Sequence, residues 1–180
     1  MSAEQDLIGR CMRGDEVAFA QLVENYKVMV FNIADRMVRD RSASEDLAQE
    51  VFLRVYRGLK SFRGDAKLST WIYQIAYRVC LEELQKPHRR QRYVSLEVDA
   101  GELHFEDAGP AGVDLGETLD HYLDRLPPHY RMALVLYYLQ DRKYEEIAAV
   151  MEIPIGTVKT YLHRAKAYLR KQLLEERSVG

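Results

Sequence analysis

Cysteine is scarce in this sequence, and the scarcity removes two functional classes at once. Cys11 and Cys80 are the only two among 180 residues, they lie far apart and they form no CxxC. Neither a disulfide framework nor a thiolate zinc site can be built from them. Both thiols are expected to pack as small hydrophobes in a reducing cytoplasm. Long apolar runs are also missing, since none approaches the ~20 residues that span a bilayer. The longest, 133–139, contains Tyr137 and Tyr138. The first ten residues carry acids and no apolar core, so neither a signal nor a transit peptide is expected. No GxxxxGK(S/T), GxGxxG or GxSxG occurs, which excludes the common phosphate loops and nucleophile elbows. The five histidines (His88, His104, His121, His129, His163) show no HxxxH or HExxH spacing, so no metal site is expected. The acid pairs Glu45-Asp46, Glu82-Glu83 and Glu145-Glu146 are sequence neighbours. On a helix such neighbours point apart, and they read as capping acids and surface charge. No catalytic centre and no cofactor follow from this sequence.

Basic residues are absent from one stretch only. Residues 94–124 carry nine Asp/Glu and no Lys or Arg. Residues 1–93 carry 16 basic against 13 acidic residues, and 125–180 carry 10 against 6. The net charge of −2 therefore averages two mildly basic blocks and an acidic middle. Such a chain is suited to meet nucleic acid at both ends while its middle is repelled by phosphate.

Strand periodicity is lacking and helical spacing dominates, which predicts an all-α chain. Val17, Phe19, Ala20, Leu22, Val23, Tyr26, Val30, Phe31, Ile33 and Ala34 describe a long buried helix. Ser42-Ala-Ser-Glu45 reads as a capping box opening a second helix through Leu47, Val51, Phe52 and Val55. Ser69 is expected to cap a third through Trp71, Ile72, Ile75, Ala76, Val79 and Leu84, ended by Pro87. From 93 to 116 glycine, proline and acids replace periodicity, the composition of a flexible tether. Two small helical domains are predicted, 1–93 and 116–180, joined by an acidic linker at 94–115. The second holds short helices at 115–126, 131–139 and 144–151, and a longer one from Ile155 to about Leu174.

Residues 144–166 carry the strongest local signal. A short helix, the turn Glu152-Ile-Pro154 and a second helix fit a helix-turn-helix. At 100° per residue, Val158, Leu162, Ala165 and Leu169 form an apolar seam. Lys159, His163, Lys166 and Arg170 lie on one flank; Thr157, Thr160, Tyr161 and Arg164 face outward. The N-terminal half of such a helix enters the major groove. There Arg164 suits a bidentate contact to guanine and Thr160 a base edge, while the basic flank suits phosphates. Solvation alone also places cations on such a face, and Lys and Arg favour helix C-termini. Glu152 occupies a turn position where glycine adopts the left-handed conformation more easily.

A second cluster lies in the first block. Phe62, Trp71, Tyr73 and Tyr77 lie among Arg63, Lys67 and Arg78, and Lys86, Arg89, Arg90 and Arg92 follow. Rings interleaved with cations are what unpaired bases require. A core stripe with a solvated basic helix end accounts for the same residues.

Two sets of residues resemble one family. Asp46-Leu-Ala-Gln-Glu-Val-Phe52, Phe62-Arg-Gly-Asp-Ala-Lys-Leu-Ser-Thr-Trp71-Ile and Ile75-Ala76 resemble sigma domain 2 of the extracytoplasmic-function (group 4) sigma factors of bacterial RNA polymerase. Leu126-Pro-Pro-His-Tyr-Arg131 and the run from Ile153 to Lys166 resemble sigma domain 4. With Gly14-Asp15-Glu16, the likeness covers nearly all the chain except the acidic tether.

The resemblance implies a protein that binds core RNA polymerase through its clamp and flap, recruits it to promoters and aids −10 opening. It implies that Asp46, Gln49, Glu50 and Phe52 dock on the clamp coiled coil of the largest catalytic subunit. It implies that Lys159, Thr160 and Arg164 read the −35 element, with Tyr161 standing where arginine is common. It implies that the Phe62–Lys67 loop and the following helix capture an unstacked −10 base. Arg78 stands where asparagine is frequent and Glu82 where aspartate is frequent, so −10 specificity does not carry over. In the family the linker threads toward the RNA path, where the acids of this stretch, six of the nine within 94–115, would either mimic a polyanion or act as a soluble spacer. An anti-sigma factor is an expected partner, and membrane insertion is not expected. A stand-alone dimeric helix-turn-helix regulator, which leaves the domain 2 pattern unexplained, and a purely helical adaptor, which needs no nucleic acid, are the competing expectations.

Overall fold

The computed structural model describes residues 3–89 and 122–179. The chain divides into two compact units, residues 1–89 and 90–180. Among the described residues every regular element is helical. The expected linker at 94–115 and the start of the expected 115–126 helix lie outside the described residues, as do Arg90 and Arg92.

Unit 1 is built from α1 (Ala3–Met12), α2 (Glu16–Val38), α3 (Arg41–Gly58) and α4 (Leu68–Leu84). Ala18, Leu22, Val30, Ile33, Ala34 and Met37 recur at helical spacing along α2, and none is more than 1% exposed. Full burial of each large aliphatic side chain contributes roughly 1.5–3 kcal/mol. Asp15 starts α2 by accepting the Ala18 N–H at 3.0 Å, while Arg10 Nε donates to its other oxygen at 2.8 Å. The helix stops at Arg39, which takes a left-handed φ of 58°. Against α2 and α3 packs α4, whose Leu68, Ile72, Tyr73, Ala76, Val79 and Cys80 are buried. Cys11 is also buried and unoxidised, and burial pushes its thiol pKa up.

Three expectations change here. The second long helix opens at Arg41, and its cap is Asp40, which accepts the Ala43 N–H at 3.1 Å. Ser44 is buried inside the first turn and donates back to the Asp40 carbonyl at 2.7 Å. With the helix already open at Arg41, Ser42 lies inside its first turn and the Ser44 hydroxyl finds a carbonyl four residues back, so no capping box forms at Ser42. Ser69 likewise lies within α4, which begins at Leu68 without a side-chain cap. Val17, counted with the buried stripe, is 75% exposed.

Glu83 departs from the surface role expected of the acid pairs. It is buried near the end of α4, where the Lys86 ammonium binds it and Arg89 Nε donates to it at 3.0 Å. Arg89 Nη2 also reaches Asp40 at 2.9 Å, which ties the start of α3 to the segment after α4. Arg89 is thus a structural latch. Both carboxyls sit below the usual carboxylate range: Asp40 through the Ala43 N–H and then Arg89, Glu83 through Lys86 and then Arg89. A depressed folded-state pKa gives stability that is complete above the unfolded value and lost as pH falls through the folded one. Between about pH 6 and pH 3, wild type should therefore lose more of its thermal midpoint than Arg89→Gln. Circular dichroism melts across that range test this, and parallel losses would remove the latch.

Unit 2 holds α5 (Pro128–Leu134), a π-helical turn (Val135–Leu139), α6 (Tyr144–Met151) and α7 (Ile155–Val179). The first of these was expected to begin at Arg131. It starts earlier because Pro128 carries the φ of a first helical position and has no N–H to leave unpaired. Tyr122, Leu123 and Leu126 are buried with Met132, Leu136, Ile147, Val158 and Leu162. Arg131 is 1% exposed, and its Nη2 donates to the carbonyls of Asp124 at 3.1 Å and Leu126 at 3.2 Å.

Candidate nucleic-acid and polymerase interfaces

In unit 2, α6 and α7 are separated by Glu152-Ile153-Pro154, the three-residue turn of a helix-turn-helix. Glu152 takes φ 56°, ψ 43°, and its N–H caps the Ala148 carbonyl. A carboxylate residue thus holds the left-handed position that glycine would occupy more cheaply. Val158, Leu162, Ala165 and Leu169 are all buried, at most 4% exposed, so the seam predicted by helical projection faces the unit's core. Lys159 and Arg170 are exposed, and His163 and Lys166 half-buried.

The flank is supported by rings. Lys159 Nζ lies 5.8 Å from the Tyr144 ring centroid, and Lys166 Nζ lies 5.2 Å and 5.5 Å from those of Tyr137 and Tyr138. Tyr137 stacks on Tyr144 at 5.4 Å. Cation–π contact holds both ammonium groups on an aromatic shelf. Burial, with Tyr137 beside it, pushes the Tyr138 hydroxyl up to about 12.

Thr157, Thr160, Tyr161 and Arg164 share the remaining face, each half-buried. Thr160 Oγ1 donates to the Gly156 carbonyl at 3.0 Å, which ties the side chain back to the first turn of α7. Arg164 Nη1 donates to the Tyr130 hydroxyl at 3.4 Å.

In unit 1, Phe62 and Trp71 meet with ring centroids 5.1 Å apart and planes tilted by 43°. Both are half-buried, and Arg63, Lys67 and Arg78 are exposed. Gly58 makes the close approach of Trp71 possible: a Cβ there would stand 3.0 Å from the indole. Gly64 takes φ 74° in the loop between them, a conformation only glycine adopts without strain. Tyr73 and Tyr77 are corrections. They are 2% and 8% exposed, so neither ring offers a stacking face. Trp71, Gln74 and Arg78 share the outward stripe of α4, whereas positions 73 and 77 fall on the opposite stripe, inside the core.

On α3, Asp46 and Gln49 are exposed, and Glu50 and Phe52 half-buried. Arg54 Nε donates to Glu50 at 2.7 Å, and its Nη atoms grip Glu82 of α4 at 2.8 and 2.6 Å. The Glu82 and Glu50 carboxylates raise the Arg54 pKa, and Arg54 lowers that of Glu82. These residues, with Asp40, Asp46 and Arg89, line a cleft of about 670 Å³ between the two helices. Leu53 and Tyr56 continue the exposed side of α3 at 50% and 52% exposure.

Comparison with known proteins accounts for both units. Residues 22–91 match the family profile Sigma-70 region 2, and residues 116–169 match Sigma-70, region 4. The ECF RNA polymerase sigma-E factor of Escherichia coli K12 is 38% identical over 91% of this chain and 90% of its own. The chain belongs to the extracytoplasmic-function sigma factors. SigW of Bacillus subtilis, another member, is 34% identical over 92% of this chain and 94% of its own. RpoE of Bartonella quintana, solved in complex with the anti-sigma factor NepR, shares the fold. Its TM-score is 0.65 at 22% identity, over 86% of this chain and 96% of that one.

As a sigma factor, the protein works with core RNA polymerase and promoter DNA to direct promoter-specific transcription initiation. A stand-alone helix-turn-helix regulator would leave the match over residues 22–91 without a cause. No described helix of this sigma factor is long and apolar enough to cross a membrane. Among its described residues no group of three or more His, Cys, Asp or Glu is placed to hold a metal ion.

Sequence reasoning missed the tyrosine shelf, the Arg54 fork and the buried Arg131. Tyr137, Tyr138 and Tyr144 fall within twenty-odd residues of the cations they support. A tyrosine-rich run just before a basic helix is the signal that could have found the shelf. The fork spans 28 residues of sequence and leaves no local signature.

Proposed function

We propose that the two units divide promoter recognition between them, with residues 1–93 as sigma domain 2, 94–115 as linker and 116–180 as sigma domain 4. The −35 element is read by Lys159, Thr160 and Arg164 in the first half of α7, with Thr157, His163 and Lys166 placed for the backbone. The observation that carries this is the face of α7 that holds Thr157, Thr160 and Arg164 directly beside a basic flank, opposite a buried seam. Phosphate contacts from that flank give salt-dependent affinity, and base-edge contacts give choice. Tyr161 borders this face and is turned into the rings around it.

Phe62 and Trp71, with Arg63, Lys67 and Arg78 around them, hold a −10 base that has left its stack. A ring pair beside exposed cations supports this reading. Asp46, Gln49, Glu50 and Phe52 dock on the polymerase clamp, and domain 4 meets the flap. The sigma factor performs no catalysis itself and acts in the cytoplasm, where polymerase is. An anti-sigma partner of the kind seen with the Bartonella quintana relative holds it inactive. Reconstitution tests the whole. Pure protein mixed with core polymerase should form a complex and yield run-off transcripts from cognate promoters, with promoter affinity falling steeply as salt rises. A folded sample that forms no complex and yields no transcript refutes it.

A further inference from the structure

Arg164 is not a loose side chain in this protein. One of three rings that form a closed triangle touches it: His129 and Tyr130 lie 4.4 Å apart between centroids, His129 and Tyr161 4.7 Å, and Tyr130 and Tyr161 4.8 Å. Tyr161 precedes Arg164 by three residues, so the two share one face of α7. Tyr130 comes from α5 and is only 7% exposed, so its ring is fixed by the core of the unit. Its hydroxyl accepts from Arg164 Nη1 at 3.4 Å. Arg164 Nε is buried with no hydrogen-bond partner among the described residues, so the root of the guanidinium is shielded, although the residue as a whole is half-buried.

We propose that Tyr130, walled in by His129 and Tyr161, is a positioning residue that orients Arg164 for reading a −35 base. The inference rests on the assignment of Arg164 as a base reader. A guanidinium carries five N–H donors. Giving one Nη1 hydrogen to Tyr130 leaves the other Nη1 hydrogen and both on Nη2, the pair that matches guanine O6 and N7. Holding a long side chain near its bound geometry removes part of the rotamer freedom that binding would otherwise cost. The rings also keep the surroundings uncharged. Burial pulls the His129 pKa down, so its imidazole is neutral near pH 7 and does not repel the guanidinium. Burial, reinforced by Tyr130, holds the Tyr161 hydroxyl protonated. In this arrangement Tyr161, standing where the family commonly has arginine, is a wall for the reader.

The test uses full-length protein with core polymerase and a promoter set in which each −35 base is varied singly. Arg164→Ala first identifies the position whose preference depends on Arg164. Tyr130→Phe should then lose about three- to tenfold of the discrimination at that position alone, with melting, core binding and salt slope unchanged. In the double variant the loss should match Arg164→Ala, because the hydroxyl acts only through the arginine. Tyr161→Ala, at a half-buried site and with its melting compared with wild type, should lose discrimination at the same position. A uniform fall in affinity across all promoters would instead make Tyr161 a phosphate contact and overturn the wall. Full discrimination by Tyr130→Phe, or a loss fully additive with Arg164→Ala, overturns the positioning role. If Arg164→Ala changes no base preference, the assignment of the reader has failed before the inference is reached.

Discussion

Arg164→Ala is expected to flatten the −35 preference of this sigma factor while its complex with core polymerase forms as before. A bidentate arginine–guanine contact carries about 1–3 kcal/mol of discrimination, which is roughly 5- to 150-fold between the best base and the others. A phosphate contact has a different signature: affinity falls about equally on every sequence, and the slope of log affinity against log salt drops by about one. Lys166→Ala should show that second pattern, because its ammonium rests over Tyr137 and Tyr138 on the basic flank. The fold should not confound the comparison. Arg164 is half-buried, and losing its single hydrogen bond to Tyr130 costs about 1 kcal/mol, too little to unfold unit 2. The measurement is competition transcription on promoters differing at one −35 base. Equal selectivity in the variant and wild type would show that Arg164 does not read a base.

The second large effect concerns stability. Arg131→Ala should destabilise unit 2 by about 3 kcal/mol, a drop of more than ~12 °C in melting for a unit of this size. Two terms oppose each other. Removing a buried cation relieves its desolvation cost. Against that stand two charge-assisted bonds, to the Asp124 carbonyl at 3.1 Å and the Leu126 carbonyl at 3.2 Å. A cavity left at a site 1% exposed adds to the loss. The bonds and the cavity together exceed the relief, so the sign is destabilising. Arg131→Met, which refills most of the volume, should recover part of it. Circular dichroism melts of the full chain, with hydrogen exchange to assign the loss to residues 122–169, measure this. Core docking through α3 should survive, which separates a folding failure in unit 2 from a failure of the whole chain. An Arg131→Met variant as stable as wild type would show that relief of desolvation balances the two bonds.

Much of the architecture was legible because helices advertise themselves locally. The seam at Val158, Leu162, Ala165 and Leu169 follows from 3.6-residue spacing, and all four side chains are buried. Glu152 stands out from the sequence as an awkward turn residue, and it takes a left-handed φ of 56°. Helix starts were harder, because Asp40 and Ser42 are both credible caps and the choice depends on where α3 meets α4. The aromatic-cationic cluster was only half readable. Phe62 and Trp71 come together as a pair, but Tyr73 and Tyr77 have the same composition and belong to the core.

Composition, spacing and motif order thus determined the all-helical class, the helix-turn-helix, the basic flank of α7 and the membership of the sigma family. They did so because each is written within a few helical turns, or along the chain as a linear order of motifs. Which rings face outward, that Arg89 is a latch between Asp40 and Glu83, that Arg131 is buried, and that Tyr130 meets Arg164 were decided by tertiary structure alone. Each depends on the rotation of one helix against another, and a pair 34 residues apart leaves no periodic trace. Contact across helices is set by packing in three dimensions, so those residues acquire their roles only when the core closes around them.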